Sequence, residues 1–382
     1  MKRKIAVIAS SRATYGYKRK IIQLIKKSQK LELQLIVTGM HLLKEYGHSI
    51  KEIEDDGHPV VAKVEMAIGG DTPSAWTKSI GLEIINLAQV FSMIQPDILL
   101  VTGDRAEMFA AAIAAAYMNI PIAHIQAGDV SGHIDGSIRH AITKISHIHF
   151  SSCEDSAKRV RRLGEEPWRI FNVGAPQLDT IIHDPKLPQK EISEKLSIDL
   201  NKPTILIIQH PVLFEIDKAY SQMKETMEAI AELQIQTILI YPNIDAGGLE
   251  IIKAIREYEK IPLFNIYRNL ERKIFISLLK EVDILVGNSS CGILEAPSFK
   301  LPVINIGTRQ EGRIQANNII NVGHNRSEIV NAIKKALFDQ KFKGGLKKCI
   351  NFYGDGYSSE KIVKILEEIK INKKLLNKKI TF

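Results

Sequence analysis

Short apolar segments alternate with longer amphipathic segments in two successive series, and this alternation constrains the fold more than any other feature. The first series predicts strands at Lys4–Ala9, Leu33–Thr38, Asp97–Val101, Ile120–Ile125 and His147–Ser151. The second predicts strands at Thr204–Gln209, Thr237–Tyr241, Leu263–Asn265, Ile284–Gly287 and Pro302–Ile306. Nearly all-apolar strands that alternate with helices predict parallel sheets covered by helices on both faces.

The two series are separated by a segment with two prolines in five residues, Asp184–Pro188, which is typical of a linker. We therefore predict an α/β fold with two Rossmann-like domains facing a cleft. The expected boundaries are a first domain at 1–180, a linker at 181–202, a second domain at 203–357, and a C-terminal helix with a basic tail at 358–382. The last helix could pack on either domain.

Composition excludes several classes of protein. The chain has 382 residues, 45% of them hydrophobic and 25% charged, which is too long for one ordinary core and typical of a globular protein. No apolar segment approaches the roughly 18 to 20 residues of a membrane span. The net charge of +9 is compatible with an anionic substrate, but no nucleic-acid-binding motif accompanies the scattered lysines. We expect neither a nucleic acid nor a membrane as partner.

The three cysteines, Cys153, Cys291 and Cys349, lie far apart and form no CxxC pair. This spacing favours a reducing cytoplasm over a disulfide-stabilised exterior. The basic N-terminal segment has too short an apolar run for a signal peptide and is better interpreted as the first strand.

Rossmann-like sheets bind ligands beyond the carboxyl ends of their strands, so the residues directly after each strand carry the functional signal. After the first strand, a turn of small residues containing Arg12 leads into a helix. Such a turn can bind an anion, although an ordinary turn with a surface arginine fits equally well. The absence of GxGxxG argues against a nicotinamide cofactor.

Carboxylates and arginines cluster after the third and fourth predicted strands, namely Asp104, Asp129, Asp135, Arg105 and Arg139. Neighbouring carboxylates can divide acid and base roles when their environments differ. The alternative is that two of the aspartates only cap the helices that follow them. Histidines are frequent here, but no HExxH or comparable spacing is present, and we predict no metal.

In the second predicted domain, His210 follows the first strand, and the segment 286–296 reads Val-Gly-Asn-Ser-Ser-Cys-Gly-Ile-Leu-Glu-Ala. A small-residue loop entering a helix can bind phosphate through backbone N–H groups and the hydroxyls of Ser289 and Ser290. Glu295 could then accept hydrogen bonds from ribose hydroxyls, and Arg309 after the next strand adds a cation. We predict nucleotide binding at this segment.

Taken together, these segments resemble the UDP-N-acetylglucosamine 2-epimerases, specifically the hydrolysing branch that makes N-acetylmannosamine for sialic-acid-type sugars. The resemblance runs in order through Arg12–Gly16, Thr38–Leu42, Gly103–Arg105, Val130–Lys144, His210–Pro211, Pro242–Gly247, Gly287–Gly292 and Gly307–Gln310. It implies a fold of the glycosyltransferase-B type. The resemblance implies no cofactor. It does imply that the protein forms a homodimer or a homotetramer.

The resemblance also implies roles for individual residues. Those implied to bind UDP are Arg12, His210, Asn243, Ser289, Ser290, Gly292, Glu295 and Arg309. Asp104 and Asp135 would be the acid/base carboxylates, and His41, Arg105 and Arg139 would contact the sugar. One position departs from the family, because Gln126 stands where many members have glutamate. Either Asp129 takes over its role, or the position only hydrogen-bonds the substrate, or the chemistry is altered.

We therefore expect a hydrolysing epimerase that converts UDP-N-acetylglucosamine to N-acetylmannosamine and UDP by elimination and hydration of a glycal. A hydrolysing epimerase of a UDP-2,4-diacetamido-2,4,6-trideoxyhexose, as in legionaminic acid synthesis, is an alternative. So are a glycosyltransferase of the same fold and a non-catalytic UDP-sugar binder.

Overall fold

The structure is a computed structural model that describes residues 2–43, 50–66, 73–130, 133–242 and 247–381. The chain forms two compact units. Unit 1 comprises Met1–Thr180 together with Tyr353–Phe382, and unit 2 comprises Ile181–Phe352. Unit 1 is thus built from both ends of the chain, and unit 2 is one continuous stretch.

The described part of unit 1 contains a parallel sheet in the order β3-β2-β1-β4-β5-β6-β7. Its strands are β1 (Arg3–Ala9), β2 (Leu31–Thr38), β3 (Val60–Val64), β4 (Ile98–Thr102), β5 (Ile122–Ile125), β6 (Ile148–Ser151) and β7 (Ile170–Asn172). Its helices are α1 (Arg12–Lys27), α2 (Ile50–Asp55), α3 (Pro73–Ile94), α4 (Ala106–Tyr117), α5 (His133–Ile145), α6 (Glu154–Arg162), the start of α7 (Gln177–His183), α15 (Ser358–Glu368) and α16 (Lys373–Leu376).

Alternate residues of β1 enter two different cores, which explains why the strand is apolar throughout. Ile5 and Val7 pack in the core that includes α1 and α15, whereas Ala6 and Ile8 pack in the core that includes α3 and α4. Successive side chains of a strand point to opposite faces, so a sheet covered on both sides needs apolar residues at every position.

The C-terminal helix packs on unit 1. Ile362 and Leu366 of α15 are buried in the same core as β1. The Asp179 carboxylate accepts hydrogen bonds from the backbone N–H groups of Ser358 (3.0 Å) and Ser359 (2.6 Å) at the start of that helix. Further along, Arg169 donates to the Leu375 carbonyl at 2.7 Å. The last thirty residues are therefore an integral part of the first sheet domain.

The described part of unit 2 contains a second parallel sheet, in the order β10-β9-β8-β11-β12-β13. Its strands are β8 (Thr204–Ile208), β9 (Gln236–Ile240), β10 (Phe264–Tyr267), β11 (Ile284–Gly287), β12 (Val303–Ile306) and β13 (Ile319–Val322). Its helices are α8 (Gln189–Leu196), α9 (Ala219–Leu233), α10 (Gly248–Arg256), α11 (Arg272–Glu281), α12 (Cys291–Leu294), α13 (Arg326–Phe338) and α14 (Gln340–Leu346).

Residues 181–202, predicted as a linker, carry the end of α7 and the whole of α8. Ile192 and Leu196 of α8 are buried in the core of unit 2 beside Leu206. The prolines that suggested a linker lie directly before α8, where a helix can begin but not continue. This segment is thus part of unit 2.

Two further observations concern the chain as a whole. Within the described ranges, no helix is both long and apolar enough to cross a membrane. Cys153, Cys291 and Cys349 carry free thiols.

Candidate active site

Two adjacent left-handed turns end the central strands β4 and β5 of unit 1. Gly103 follows β4 with φ of +77°, and Gln126 follows β5 with φ of +64°. The Gly103 N–H donates to the Ile125 carbonyl at 3.0 Å, which joins the two turns. Because both strands run in the same direction, their following residues, including Asp104, meet at one edge of the sheet.

Asp104 forms an ion pair with Arg139, which reaches over from α5. The side chains are 20% and 7% exposed, so the pair is largely buried but the carboxylate remains accessible. Arg139 also donates to the Gln126 carbonyl at 3.1 Å. Arg105, and not Asp104, is the N-cap residue of α4, and it makes no side-chain cap bond. The capping alternative for Asp104 is therefore wrong, and the predicted proximity of Asp104 and Arg139 is observed.

His124 supports this arrangement from inside the sheet. Its Nε2 lies 2.8 Å from the Gly103 carbonyl and its Nδ1 lies 3.1 Å from the Thr143 hydroxyl. Complete burial lowers the pKa of His124 to about 3, which leaves the ring neutral at physiological pH. The neutral ring donates from Nε2 to Gly103 and thereby fixes the turn that presents Asp104.

Asp129 lies at the neighbouring strand ends. Its Oδ2 accepts a hydrogen bond from Ser152 at 2.8 Å. Its Oδ1 is buried and has no hydrogen-bond partner among the described residues. A buried carboxylate oxygen without a partner is costly in a structural role, so Asp129 remains a candidate for contact with a ligand.

Asp135 is the third residue of α5, one helical turn before Arg139. Its side chain lies outside the described part of the structure, as do residues 131–132. The backbone therefore places Asp135 on the same helix as the partner of Asp104, at the i, i+4 spacing that puts two residues on one face.

The two other residues predicted to contact the sugar, His41 and Arg105, differ in burial. His41 is fully buried in the short 3₁₀ turn Gly39–Leu42 after β2, with its ring edge-on to Tyr15. Arg105 pairs with the buried Glu107 of α4 and is 37% exposed. Sequence reasoning missed Glu107, since a carboxylate inside a helix carries no motif of its own.

In unit 2, Asn288 joins the loops that follow three strands. Its Oδ1 accepts from the His210 N–H at 2.7 Å, and its Nδ2 donates to the His210 carbonyl at 2.9 Å. The Asn288 carbonyl accepts from Arg309 at 3.1 Å and from Gln310 at 2.8 Å. This residue was not singled out from sequence, yet it brings the predicted His210 and Arg309 together.

The close approach of the loop after β11 to strand β8 requires a glycine at position 287. Its φ is +128°, and a Cβ atom there would lie 2.1 Å from the Ile208 carbonyl oxygen of β8. Only glycine permits that backbone conformation and that close an approach. The signal for Asn288 was thus the obligatory glycine immediately before it.

Ser289 and Ser290 follow and are both partly exposed. The Gly292 N–H donates to the Ser289 carbonyl at 3.1 Å, and a Cβ atom on Gly292 would lie 2.8 Å from Cγ1 of Val303. Glu295 is half-buried, and the protein atoms packed around it raise its pKa, an effect opposed by Arg272. The loop therefore combines accessible hydroxyls with a tightly packed backbone.

Two predicted UDP-binding residues lie wholly or partly outside the described part of the structure. Asn243 lies outside the described residues. Arg12 is the first residue of α1, directly after its N-cap Ser11, but its side chain is outside the described part. Throughout the described ranges, no group of three or more His, Cys, Asp or Glu side chains is arranged to hold a metal ion.

A sequence profile of UDP-N-acetylglucosamine 2-epimerase matches residues 23–367. The chain belongs to this family. It is 38% identical over 378 residues, 99% of both chains, to the UDP-N,N'-diacetylbacillosamine 2-epimerase (hydrolyzing) of Legionella pneumophila. It is 32% identical over 342 residues, 89% of both chains, to the UDP-N-acetylglucosamine 2-epimerase of Neisseria meningitidis.

A solved structure supports the same fold. The Neisseria meningitidis UDP-GlcNAc 2-epimerase bound to UDP-GlcNAc superimposes with a TM-score of 0.81 over 95% of this chain and 99% of that one, at 19% identity. The predicted fold class, parallel α/β sheets of the glycosyltransferase-B type, is confirmed, as is the resemblance to the 2-epimerase family.

Proposed function

We propose that this family member is a hydrolysing 2-epimerase. In the proposed reaction, the C2 proton is removed as UDP leaves C1, and water then adds to the resulting glycal. The observation that carries the proposal is the accessible Asp104 carboxylate, held by Arg139 beside the Gln126 turn at the carboxyl edge of the sheet.

We further propose a UDP-2,4-diacetamido-2,4,6-trideoxyhexose of the diacetylbacillosamine type as substrate, in place of the UDP-N-acetylglucosamine expected from sequence. The support is the relative at 38% identity over 99% of both chains, which is named for that sugar. The relative named for UDP-N-acetylglucosamine is 32% identical over 89%. Of the two candidate substrates, the 2,4-diacetamido-2,4,6-trideoxyhexose that the sequence left as an alternative is therefore the better supported.

In the first half-reaction, no carbonyl group acidifies the C2–H bond of the sugar. Breaking that bond must therefore be coupled to loss of UDP from C1, so that the C–H electrons form the C1=C2 double bond and the C1–O electrons leave with UDP. A carboxylate, Asp104 or Asp135, accepts the proton as general base. Arg139 keeps Asp104 in one orientation, which limits the reorganisation needed for the transfer.

The leaving diphosphate must be stabilised as its charge develops. We assign this role to Arg12, His210, Asn243, Ser289, Ser290 and Arg309, with the Gly292 loop holding the backbone in place and Glu295 accepting from the ribose. Support for the assignment comes from Asn288, which fixes the backbone around His210 and bonds Arg309. Donors fixed before the reaction stabilise a developing charge with little reorganisation.

In the second half-reaction, water adds its hydroxyl to C1 and a proton returns to C2 from the opposite face. The Gln126 amide does not act as an acid or a base near neutral pH, so we assign it to hydrogen bonding with the substrate. The proton donors that remain are the aspartates, Asp104, Asp129 and Asp135. Protonation of C2 from the opposite face converts the gluco into the manno configuration.

Proton NMR in D₂O with each of the two UDP-sugars, and with no acceptor present, tests the proposal. We expect free UDP and a free 2,4-diacetamido-2,4,6-trideoxymannose carrying deuterium at C2, with a higher kcat/KM than for UDP-N-acetylglucosamine. A higher kcat/KM for UDP-N-acetylglucosamine would overturn the substrate assignment. No free sugar from either compound would instead point to a glycosyltransferase or a binding protein.

A further inference from the structure

Three ionisable side chains near Arg105 are completely buried. Glu107 of α4, Glu83 of α3 and Lys18 of α1 each have no solvent-exposed surface. Such residues are almost never fully buried unless they are paired. The epimerase chemistry described above uses none of the three, so their burial needs another explanation.

Glu107 holds Arg105 through two parallel contacts. Arg105 Nε lies 3.1 Å from Oε2 of Glu107, and Arg105 Nη2 lies 2.9 Å from Oε1. The arginine side chain is 37% exposed and the glutamate side chain is 0% exposed. A guanidinium held in this two-pronged way has a defined direction as well as a partner.

Glu107 itself has little room to move. A Cβ atom on Gly39, after β2, would lie 3.0 Å from Oε1 of Glu107 and 3.0 Å from the Ser10 carbonyl. The 3₁₀ turn thus packs directly on the carboxylate, and Met40 of the same turn places its sulfur 3.9 Å from Arg105 Nη2. The carboxylate is enclosed by the ends of β1 and β2 and by its own helix.

The two buried glutamates differ in their partners. Oε1 of Glu83 accepts from the Thr38 hydroxyl at 3.0 Å, while its Oε2 is buried with no partner among the described residues. Desolvation, with a second contribution from the nearby charge of Glu107, raises the pKa of Glu83 to about 8. Glu83 is therefore mainly protonated at pH 7, whereas Glu107 is the carboxylate that forms the ion pair with Arg105.

Lys18 completes the cluster. Its ammonium donates to the Ile8 carbonyl in β1. Burial lowers the pKa of Lys18 to about 7, and the charge of Glu107 offsets part of that effect. The groups that face Glu107 are thus Arg105 from α4, Lys18 from α1 and Glu83 from α3.

We propose that Glu107 is a positioning residue that fixes the Arg105 guanidinium at the carboxyl edge of the sheet, so that the arginine is already oriented when the nucleotide sugar binds. This inference rests on the proposed function and on the contact with the sugar that the family resemblance implies for Arg105. An arginine side chain otherwise loses considerable rotamer freedom on binding a ligand. A buried anionic anchor removes that cost before the ligand arrives.

A double-mutant cycle tests the proposal, using E107Q, R105Q and the E107Q/R105Q pair. We expect each single variant to raise KM, and the Kd for the nucleotide sugar measured by calorimetry, by about 10- to 100-fold, because a charge-assisted contact is lost or misplaced. The double variant should lie within about threefold of R105Q, since Glu107 acts through Arg105. E107D should recover part of the loss.

E83Q is the matched control, since Glu83 is equally buried in the same cluster and glutamine has the shape of a protonated glutamate. Its KM and Kd should stay within about threefold of wild type. If the effects of E107Q and R105Q multiply in the double variant, or if E107Q lowers only the melting temperature, the positioning role is wrong. Should the wild type bind but not turn over either sugar, the proposed function fails, and the Kd values still decide the role of Glu107.

Discussion

The carboxyl edges of the two sheets are built from different chemistry. In unit 1, the strands end in ion pairs, Asp104 with Arg139 and Arg105 with Glu107. In unit 2, the strand ends are joined by a neutral amide, Asn288, which bonds the backbone of His210 and accepts from Arg309. Ion-paired carboxylates can move protons, whereas neutral amides and hydroxyls can only orient a ligand. We therefore expect changes in unit 1 to act mainly on turnover and changes in unit 2 to act mainly on nucleotide affinity.

The largest expected effect is that of Asp104→Asn. The change preserves shape but removes the carboxylate proposed as a base, so kcat should fall by about 10²- to 10⁴-fold while UDP binding changes little. Steady-state kinetics and calorimetry with UDP measure the two quantities. Retention of more than about a tenth of the wild-type kcat would exclude Asp104 as the base.

Asp97→Asn is the control for that experiment, because Asp97 precedes β4 and Asp104 follows it. The Asp97 carboxylate only accepts the Lys4 N–H, at 2.8 Å. We expect its kcat to remain within about twofold of wild type, with at most about 1 kcal/mol lost in the free energy of unfolding.

A change at Asn288 should have the opposite pattern. Asn288→Asp replaces the amide that donates to the His210 carbonyl with a carboxylate that repels it. The Kd for UDP should rise by about 10- to 100-fold, with a smaller change in kcat. Asn305→Asp, in the neighbouring strand β12, disturbs an equally buried amide that bonds only Asn321. If Asn305→Asp raises the Kd for UDP as much as Asn288→Asp does, Asn288 has no specific role in nucleotide binding.

Because of its buried histidines, we expect the free energy of unfolding of unit 1 to decrease at acid pH. Burial lowers the pKa of His124 to about 3 and the pKa values of His147 and His149 to about 4. Unfolded histidine takes up a proton near pH 6.5, so between pH 6.5 and about 4 the unfolded chain binds more protons and stability falls as pH falls. Glu83 acts in the other direction, because its raised pKa favours the folded state at lower pH.

We expect the free energy of unfolding of unit 1 to drop by about 2 to 4 kcal/mol from pH 7 to pH 5. Both tryptophans, Trp76 and Trp168, belong to unit 1, so urea unfolding followed by tryptophan fluorescence reports that unit selectively. Far-UV circular dichroism reports both units and should shift less. Equal fluorescence midpoints at the two pH values would contradict the assignment of neutral buried histidines.

The smallest expected effects come from matched helix caps. Ser11 accepts the Thr14 N–H at the start of α1, and Asn325 accepts the Ser327 and Glu328 N–H groups at the start of α13. Asn325→Ala should cost about 1 kcal/mol of stability without changing kcat/KM. Ser11→Ala should cost a similar amount and also weaken UDP binding, since Ser11 sets the start of the helix that carries Arg12. Identical kinetics in the two variants would argue against a role for that turn.

Sequence patterns predicted the central strands of both sheets and the edge strand β10, and missed the other edge strands. The missed strands are β3, β7 and β13, and all three are edge strands. In β13, for example, no residue is fully buried. An edge strand has only one neighbour and does not need a continuous apolar segment, so the pattern that identifies a central strand is absent.

The site was predictable where it follows from strand order, and not where it depends on contacts distant in sequence. Asp104 and Arg139 could be anticipated because parallel strands bring their ends together. The role of Asn288 could not, since its partner His210 is 78 residues away and the sequence marks Asn288 only by the glycine before it. The sugar specificity was also beyond reach, because no motif in the chain marks the residues that meet C4 and C6.

The division of unit 1 between both ends of the chain has a consequence for biosynthesis. Ribosomes release a polypeptide from its N-terminus, and domains generally fold as they emerge. Unit 1 begins to emerge first, but it cannot finish folding until α15 and α16 have emerged. Ile362, Leu366 and Leu375 of these helices complete its core. Unit 2 is continuous and can mature earlier. Nascent chains stalled before Tyr353 should therefore contain a folded unit 2 and an incompletely folded unit 1.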